Sequence, residues 1–283
     1  MKHLRIMEIC RVRSGLVLIL QLFLLSGTTL GQGRVDDNGY QPEQGQEGKD
    51  VRWFPTPQSL VDKMLDMAGI SQSDFLIDLG SGDGRTVITA AKKGVHGIGI
   101  EYNPDLVELS KRNASAEGVS DKVEFIKADL FEYDFSKATI ITMFLLPEIN
   151  LRLRPRLLKM KPGTRVVSTT FTMQDWQYDD MVTIDDKSSK WTTAYLWIVP
   201  AKIAGTWIFD NGELKLTQKF QIVSGEITRG GKASRIAGGR LHGNDFTFKA
   251  DGISYNCILS GNTLKGVADY NGRKEEWIAR IQN

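Results

Sequence analysis

Two hydrophobic rhythms divide the chain. From Val51 to about Pro200, short apolar runs alternate with segments whose apolar residues recur every three or four positions. FLIDLG, from Phe75, reads as a buried strand, and GRTVITAAKKG as a helix that stops at a glycine. GIGIE and NPDLVELSKRNASAEG repeat the pair, with Asn103 and Pro104 as the helix start signal. KVEFIKADL and ATIITMFLL read as strands, PEINLRLRPRLLKMKPG as a helix with proline in its first turn, and TRVVSTTF as a strand. Ahead of them, TPQSLVDKMLDMAGI carries Leu60, Val61, Met64 and Leu65 at helical spacing, with Thr56 expected as N-cap and Pro57 at the first helical position. DDMVTIDD and TAYLWIVP close the region as an expected hairpin. This alternation predicts an α/β fold, a Rossmann-like seven-stranded, mostly parallel sheet covered on both faces.

After Ala201 the rhythm changes. Short strands such as GTWIF, FTFKA and EEWIARI are separated by NG, SG, GG, GN and DG turns, and no helical period survives. Residues 202–283 therefore read as a small all-β domain, an antiparallel meander or small barrel.

Composition bounds the function. Hydrophobic residues are 41% and charged residues 25% of the 283, ordinary for a globular chain. The net charge is +2, but residues 1–31 hold four basic residues and one acidic one, so the remainder carries −1. That near-neutral body makes no electrostatic case for a nucleic-acid partner. Cys10 and Cys257 are not expected to pair, and with His3, His96 and His242 scattered no metal site is expected.

The front end reads as a basic stretch, an apolar run and small residues. Leu16 to Leu25 is about ten apolar residues, against roughly 20 needed to span a bilayer. Residues 1–31 are expected to be a signal peptide cut after Gly31 or an uncleaved membrane anchor, and either places the body outside the cytoplasm, exported or anchored by its N-terminus. Residues 32–50, polar and glycine-containing, read as a flexible linker.

The candidate chemistry sits between the first strand and its helix, in G-S-G-D-G-R. Gly80, Gly82 and Gly84 let a ligand lie against the main chain, and a strand-to-helix turn is expected to offer it N–H groups. A dinucleotide loop needs glycine where Arg85 stands. The spacing suits S-adenosylmethionine, which has no pyrophosphate. Asp78, Asp83 and the loop residue Ser81 are expected around its amino-acid part. Glu101, ending the second strand, is placed to accept from both ribose hydroxyls. Asp129, ending the third, is placed to accept from the adenine amino group, with the Leu130 backbone beside it. Three acids at successive strand ends converge on the carboxyl edge of the sheet.

On these residues, the region 51–200 resembles class I (seven-strand) S-adenosylmethionine-dependent methyltransferases. PTPQSLVDKMLDMAGISQSDFLIDLGSGDGR, FLLPEIN, LLKMKPGTRVVSTTF and TAYLWIV look more narrowly like the non-SET protein-lysine methyltransferases. That group includes the enzyme of the histone core and the mitochondrial enzymes of the ATP-synthase c-subunit and the adenine nucleotide carrier. The resemblance implies that Trp53, Phe54 and Thr56 close over the cofactor. It also implies that the turn Thr142–Glu148, with Phe144 and Pro147, borders the acceptor channel. The chain departs from the histone type in having Thr142 and Met143 where that type has asparagines, in lacking its basic nucleosome-binding region, and in carrying the β domain.

The acceptor expected is a lysine of a membrane or envelope protein. Walls of Phe144, Leu145, Trp176 or Trp53 would desolvate it and lower its pKa. Glu148 is a candidate to assist, although an acid opening a helix also compensates the helix dipole. Trp176 is a candidate channel wall or a packing residue. Two alternatives stay open: a small-molecule or lipid-like acceptor, and an exported nucleoside-binding protein without catalysis.

Overall fold

The computed structural model describes residues 39–282. The expected signal or anchor at 1–31, and the start of the expected linker, lie outside the described residues. Among the described residues no helix is long and apolar enough to cross a membrane.

The first half runs α1 (Gln58–Met67), β1 (Phe75–Leu79), α2 (Arg85–Lys92), β2 (His96–Glu101), α3 (Pro104–Ala116), β3 (Val123–Lys127), β4 (Ile140–Met143), α4 (Pro147–Leu157), β5 (Arg165–Thr169), β6 (Asp180–Thr183) and β7 (Thr193–Ile198). The strands form one sheet in the order β3-β2-β1-β4-β5-β7-β6. All neighbours are parallel except β7, which runs antiparallel to β5 and β6. Because successive side chains of a strand face opposite ways, Leu76 enters one core layer with Leu60, Val87 and Val107, while Ile77 enters the other with Ile149, Leu153 and Leu157. Helices α1–α3 thus cover one face and α4 the other. Chain order reverses between β1 and β4, which opens a crevice at the carboxyl ends of those strands.

Two local expectations are corrected here. Thr56 is not the N-cap of α1. Pro57 holds that position without a side-chain bond, and Thr56 is buried. Residues 39–50 are not a free linker. Gly45 N donates to Trp53 O at 2.8 Å and Trp53 N to Gln46 O at 3.0 Å, building a strap that lies along the crevice. Its polar composition serves bonds to the body, such as the pairing of Lys49 with Asp129.

The second half is all strand: β8 (Gly205–Phe209), β9 (Gly212–Lys219), β10 (Ile222–Arg229), β11 (Lys232–Arg235), β12 (Ala237–His242), β13 (Asp245–Ala250), β14 (Ile253–Ser260), β15 (Thr263–Tyr270) and β16 (Arg273–Ile281). Antiparallel pairing proceeds around the set, and β16 returns to β8, closing a barrel. β11 and β12 act as one bent strand, since both pair with β10 along different stretches. Closure removes the exposed edges that an open meander would leave. Trp207, Phe246, Phe248, Tyr255 and Leu264 fill the interior, with Cys257 among them. ELKLTQKFQIV, continuous in its apolar pattern, is two strands with Phe220 at positive φ between them.

That Phe220 turn is where the barrel meets the sheet. Its ring stacks on Trp176 at 5.9 Å, Gln221 Nε2 donates to Gln177 O at 2.6 Å, and Ala201 N donates to Gly243 O at 2.8 Å. Arg240 pairs with Asp179 across the same seam. Trp176 is fully buried there and its carbonyl accepts from Trp197 Nε1 at 2.8 Å. It is therefore a packing residue and not an active-site wall, because beyond Phe171 the chain runs to the barrel and Trp176 lines neither the crevice nor the cavity beside it. Trp176→Ala should lower unfolding stability by about 3–5 kcal/mol, measured by urea denaturation. Ligand affinity at the crevice, titrated on the folded protein, should be unchanged.

Candidate active site

The crevice between the ends of β1, β2 and β4 encloses about 1010 Å³ of empty space, open solvent at its mouth included. Asp78, Gly80, Ser81, Gly82, Asp83, Glu101, Asp129, Leu130 and Thr56 all line it, with Trp53 and Phe54 from the strap. Gly84, the N-cap of α2, lies between the lining residues Asp83 and Arg85 without lining the crevice itself.

The loop is held differently from the expectation of free N–H groups. Gly80 N and Ser81 N donate to Ile100 O at 2.8 and 3.0 Å, Gly82 N to Glu101 Oε2 at 3.0 Å, and Gly84 N to Ser81 O at 2.9 Å. Those donors are used inside the protein, so the loop is not a phosphate cradle. What its glycines supply is room. Gly82 has φ +56, and a Cβ there would sit 2.6 Å from Trp53 Nε1. Ser110 Oγ and Asn113 Nδ2 of α3 fasten the loop by donating to Gly82 O and Asp83 O, each at 2.9 Å.

The carboxylates differ sharply in state. Asp78, buried at the end of β1, accepts from Thr142 Oγ1 at 2.7 Å. Burial pushes its pKa up to about 7; the Thr142 bond opposes the rise, and the nearby Glu101 and Asp83 charges add to it. Burial also raises Glu101, against bonds donated by backbone N–H groups including Asn103 N at 2.9 Å. Asp129 goes the other way, held below the usual carboxylate range by the Lys49 ammonium and by Phe131 N.

Two acids are already engaged. Arg85 Nε donates to both oxygens of Asp83, at 2.9 and 3.1 Å, while Arg85 Nη1 reaches Thr56 O at 2.8 Å. Asp83 thus ties the strap to the loop instead of facing a ligand's amino group. Lys49 Nζ, bonded to Asp129, lies 4.7 Å from the centre of the Tyr102 ring, where the adenine end was expected. Leu130 O accepts from Arg156 Nη1 at 3.2 Å, leaving its side chain in the crevice wall.

A second cavity adjoins the first through Phe144 and Leu145. Val51, Phe54, Leu146, Phe171 and Trp191 complete its apolar wall, and its charged lining, Glu47, Lys49, Asp50 and Arg52, belongs to the strap. Pro147 and Glu148 line neither cavity. Glu148 is exposed in the first turn of α4, a position that favours the helix dipole, and Pro147 opens that helix. Neither is a catalytic group. The tryptophan of the wall is Trp191, from the loop between β6 and β7. Sequence reasoning passed over Trp191, Phe171 and Lys49, none of which belongs to a spaced motif, and placed Thr142 at the acceptor channel, where the structure instead turns its hydroxyl to Asp78.

The cleft fits S-adenosylmethionine on its own chemistry. Asp78 has hydroxyl partners and acidic neighbours, which favours a bound ammonium, and Ser81 Oγ is buried without a partner. Asp78 and Ser81 would hold the amino-acid part, Glu101 the ribose, and the Asp129–Tyr102 region the adenine.

Comparison with known proteins agrees. A family model, the ANTKMT methyltransferase domain, matches residues 78–180. The chain is 40% identical to a protein-lysine N-methyltransferase of Saccharolobus islandicus over 53% of its own length and 94% of that protein's. It is 39% identical to the human lysine N-methyltransferase of the ATP-synthase c-subunit over 37% of this chain, spanning 45% of that one. A structure titled RNA methyltransferase from Salinibacter ruber, in complex with S-adenosyl-L-homocysteine, is 47% identical. It covers 53% of this chain and 96% of its own, with TM-score 0.50.

Glu101→Ala should weaken S-adenosylmethionine binding by about 1.5–3 kcal/mol, the usual worth of hydrogen bonds to a charged group, read by calorimetry. Asp78 must be ionised to receive the cofactor's ammonium, so binding releases a proton wherever pH lies below its raised pKa of about 7. Affinity for S-adenosylhomocysteine should therefore be flat above that pH and fall up to about tenfold per unit below it. Asp78→Asn should bind weakly and lose this dependence. In its sheet, its cofactor cleft and its relatives, the chain belongs to the S-adenosylmethionine-dependent methyltransferases.

Proposed function

We propose that the protein methylates the side-chain amine of lysine in a protein acceptor. The observation that carries this is the apolar cavity joined to the cofactor cleft at Phe144 and Leu145. Bound S-adenosylmethionine supplies an activated methyl group, so the protein's own work is alignment, worth roughly 7–11 kcal/mol of barrier. A lysine has a pKa of about 10.4 in water, and it must arrive neutral. Phe54, Phe144, Phe171 and Trp191 exclude water around the amine, whose pKa falls beside a like-charged sulfonium, so the proton leaves to water at the strap side. No dedicated base is required of Glu148.

The relatives named as lysine methyltransferases support the same acceptor. The Salinibacter protein, described as an RNA methyltransferase, raises RNA instead. A body of charge −1 outside residues 1–31 gives a phosphate backbone little to grip, which favours protein. The basic and apolar composition of residues 1–31 supports placing the acceptor in a membrane or envelope.

The full chain, incubated with methyl-labelled S-adenosylmethionine, an envelope extract, a soluble protein extract and total RNA, should label protein of the envelope fraction. Hydrolysis of that protein should release methylated lysine. Label in RNA, or in a small molecule alone, overturns the reading.

A further inference from the structure

Trp191 has three aromatic neighbours from three separate parts of the chain. Phe144, after β4, lies 5.4 Å from it between ring centres; Phe54, on the strap, lies at 5.7 Å; and Phe171, after β5, at 6.3 Å. The three are tilted 55–67° to its plane, so the rings form an inside corner and not a flat stack. All four line the second cavity.

Backbone strain is concentrated at the same corner. Thr170 has φ +68, a conformation rare for a β-branched residue, and Phe171 N donates to Thr169 O at 2.7 Å, closing a tight three-residue turn. The Thr170 hydroxyl is buried without a partner. Phe171 O is held by Ser168 Oγ at 2.8 Å and Asn150 Nδ2 at 3.3 Å, both from the core side. A strained turn persists only where its surroundings over-determine it, and the result here is to carry Phe171 to the cavity instead of into a continued strand. Trp191 is set in a similar way, its N–H donating to Ser189 Oγ at 3.0 Å inside the hairpin loop.

We propose that this corner is a cation-selective aromatic box, and that Trp191 is the residue which makes the acceptor site prefer an alkylammonium group over an uncharged alkyl group of the same shape. The proposal deepens the lysine reading and rests on it for the natural ligand. Aromatic faces attract a cation through the ring quadrupole, most strongly for tryptophan, and more so where the site is desolvated. An apolar pocket alone would not distinguish charge in this direction, since desolvation disfavours the ion. The rings therefore offset the desolvation cost of an entering ammonium, whose pKa is lowered instead by the like charge of a sulfonium that S-adenosylhomocysteine lacks. Trp191 does not line the cofactor cleft, so its role is separable from cofactor binding.

The test uses small probes on the full chain saturated with S-adenosylhomocysteine. Choline and its neutral isostere, in which a quaternary carbon replaces the nitrogen, are titrated by ligand-observed NMR. Choline should bind the more tightly. Trp191→Leu, which keeps apolar bulk, should weaken choline about three- to tenfold while leaving the neutral isostere and S-adenosylhomocysteine affinity unchanged. Trp191→Phe should fall between. Equal binding of the two probes, or an intact choline preference in Trp191→Leu, overturns the box. A Trp191-dependent choline preference in a protein that labels no lysine keeps the box and rejects lysine as its ligand.

Discussion

Burying Asp78 between hydroxyl groups and other acids sets the character of the cleft. Thr142 gives it a hydrogen bond, but its charged neighbours, Glu101 and Asp83, share its sign. A carboxyl in that setting is poised near neutrality, and a cationic ligand relieves both the desolvation and the repulsion. The basic residues nearby are arranged so that they leave Asp78 alone. Arg85 is taken up by Asp83, and Lys49 by Asp129. The cleft thus keeps Asp78, like Glu101, without a cationic partner, where the ligand's amino group would sit.

The same pairings attach the strap. Arg85 joins Asp83 of the glycine loop to Thr56, and Lys49 joins residue 129 to the segment before α1. Trp53 closes on the space that Gly82 leaves open. The cofactor cleft and the aromatic cavity therefore share a wall made of residues 47–52 and Phe54, so whatever moves the strap acts on both. This arrangement would give a physical link between the two substrates of the proposed transfer, since both cavities lie under the same segment.

The barrel lies behind this machinery. Its turn at Phe220 and its strand residue Arg240 cover Trp176 and Asp179 on the loop that leaves β5. A surface that would otherwise leave a large indole in water becomes core, and the loop's other end is free to turn sharply at Thr170.

How much of this was legible in the sequence follows from what local patterning can report. Alternating periods located every strand and helix of the sheet region, because period two and period 3.6 arise within a single element. The spacing of GSGDG, Glu101 and Asp129 located the cofactor cleft, because parallel strands in such a sheet end along one edge. Which tryptophan walls the acceptor cavity was not decided that way. Trp176 and Trp191 both sit in polar segments after sheet strands, and only the docking of the barrel on one and of three phenylalanines on the other separates them. Nor could the sequence show that Lys49 meets Asp129, 80 positions away, or that the loop's N–H groups are turned inward. The chain by itself determined the elements and the acids at their ends. The tertiary structure decided which side chains face one another, because that depends on contacts between elements whose separation along the chain carries no trace of their meeting.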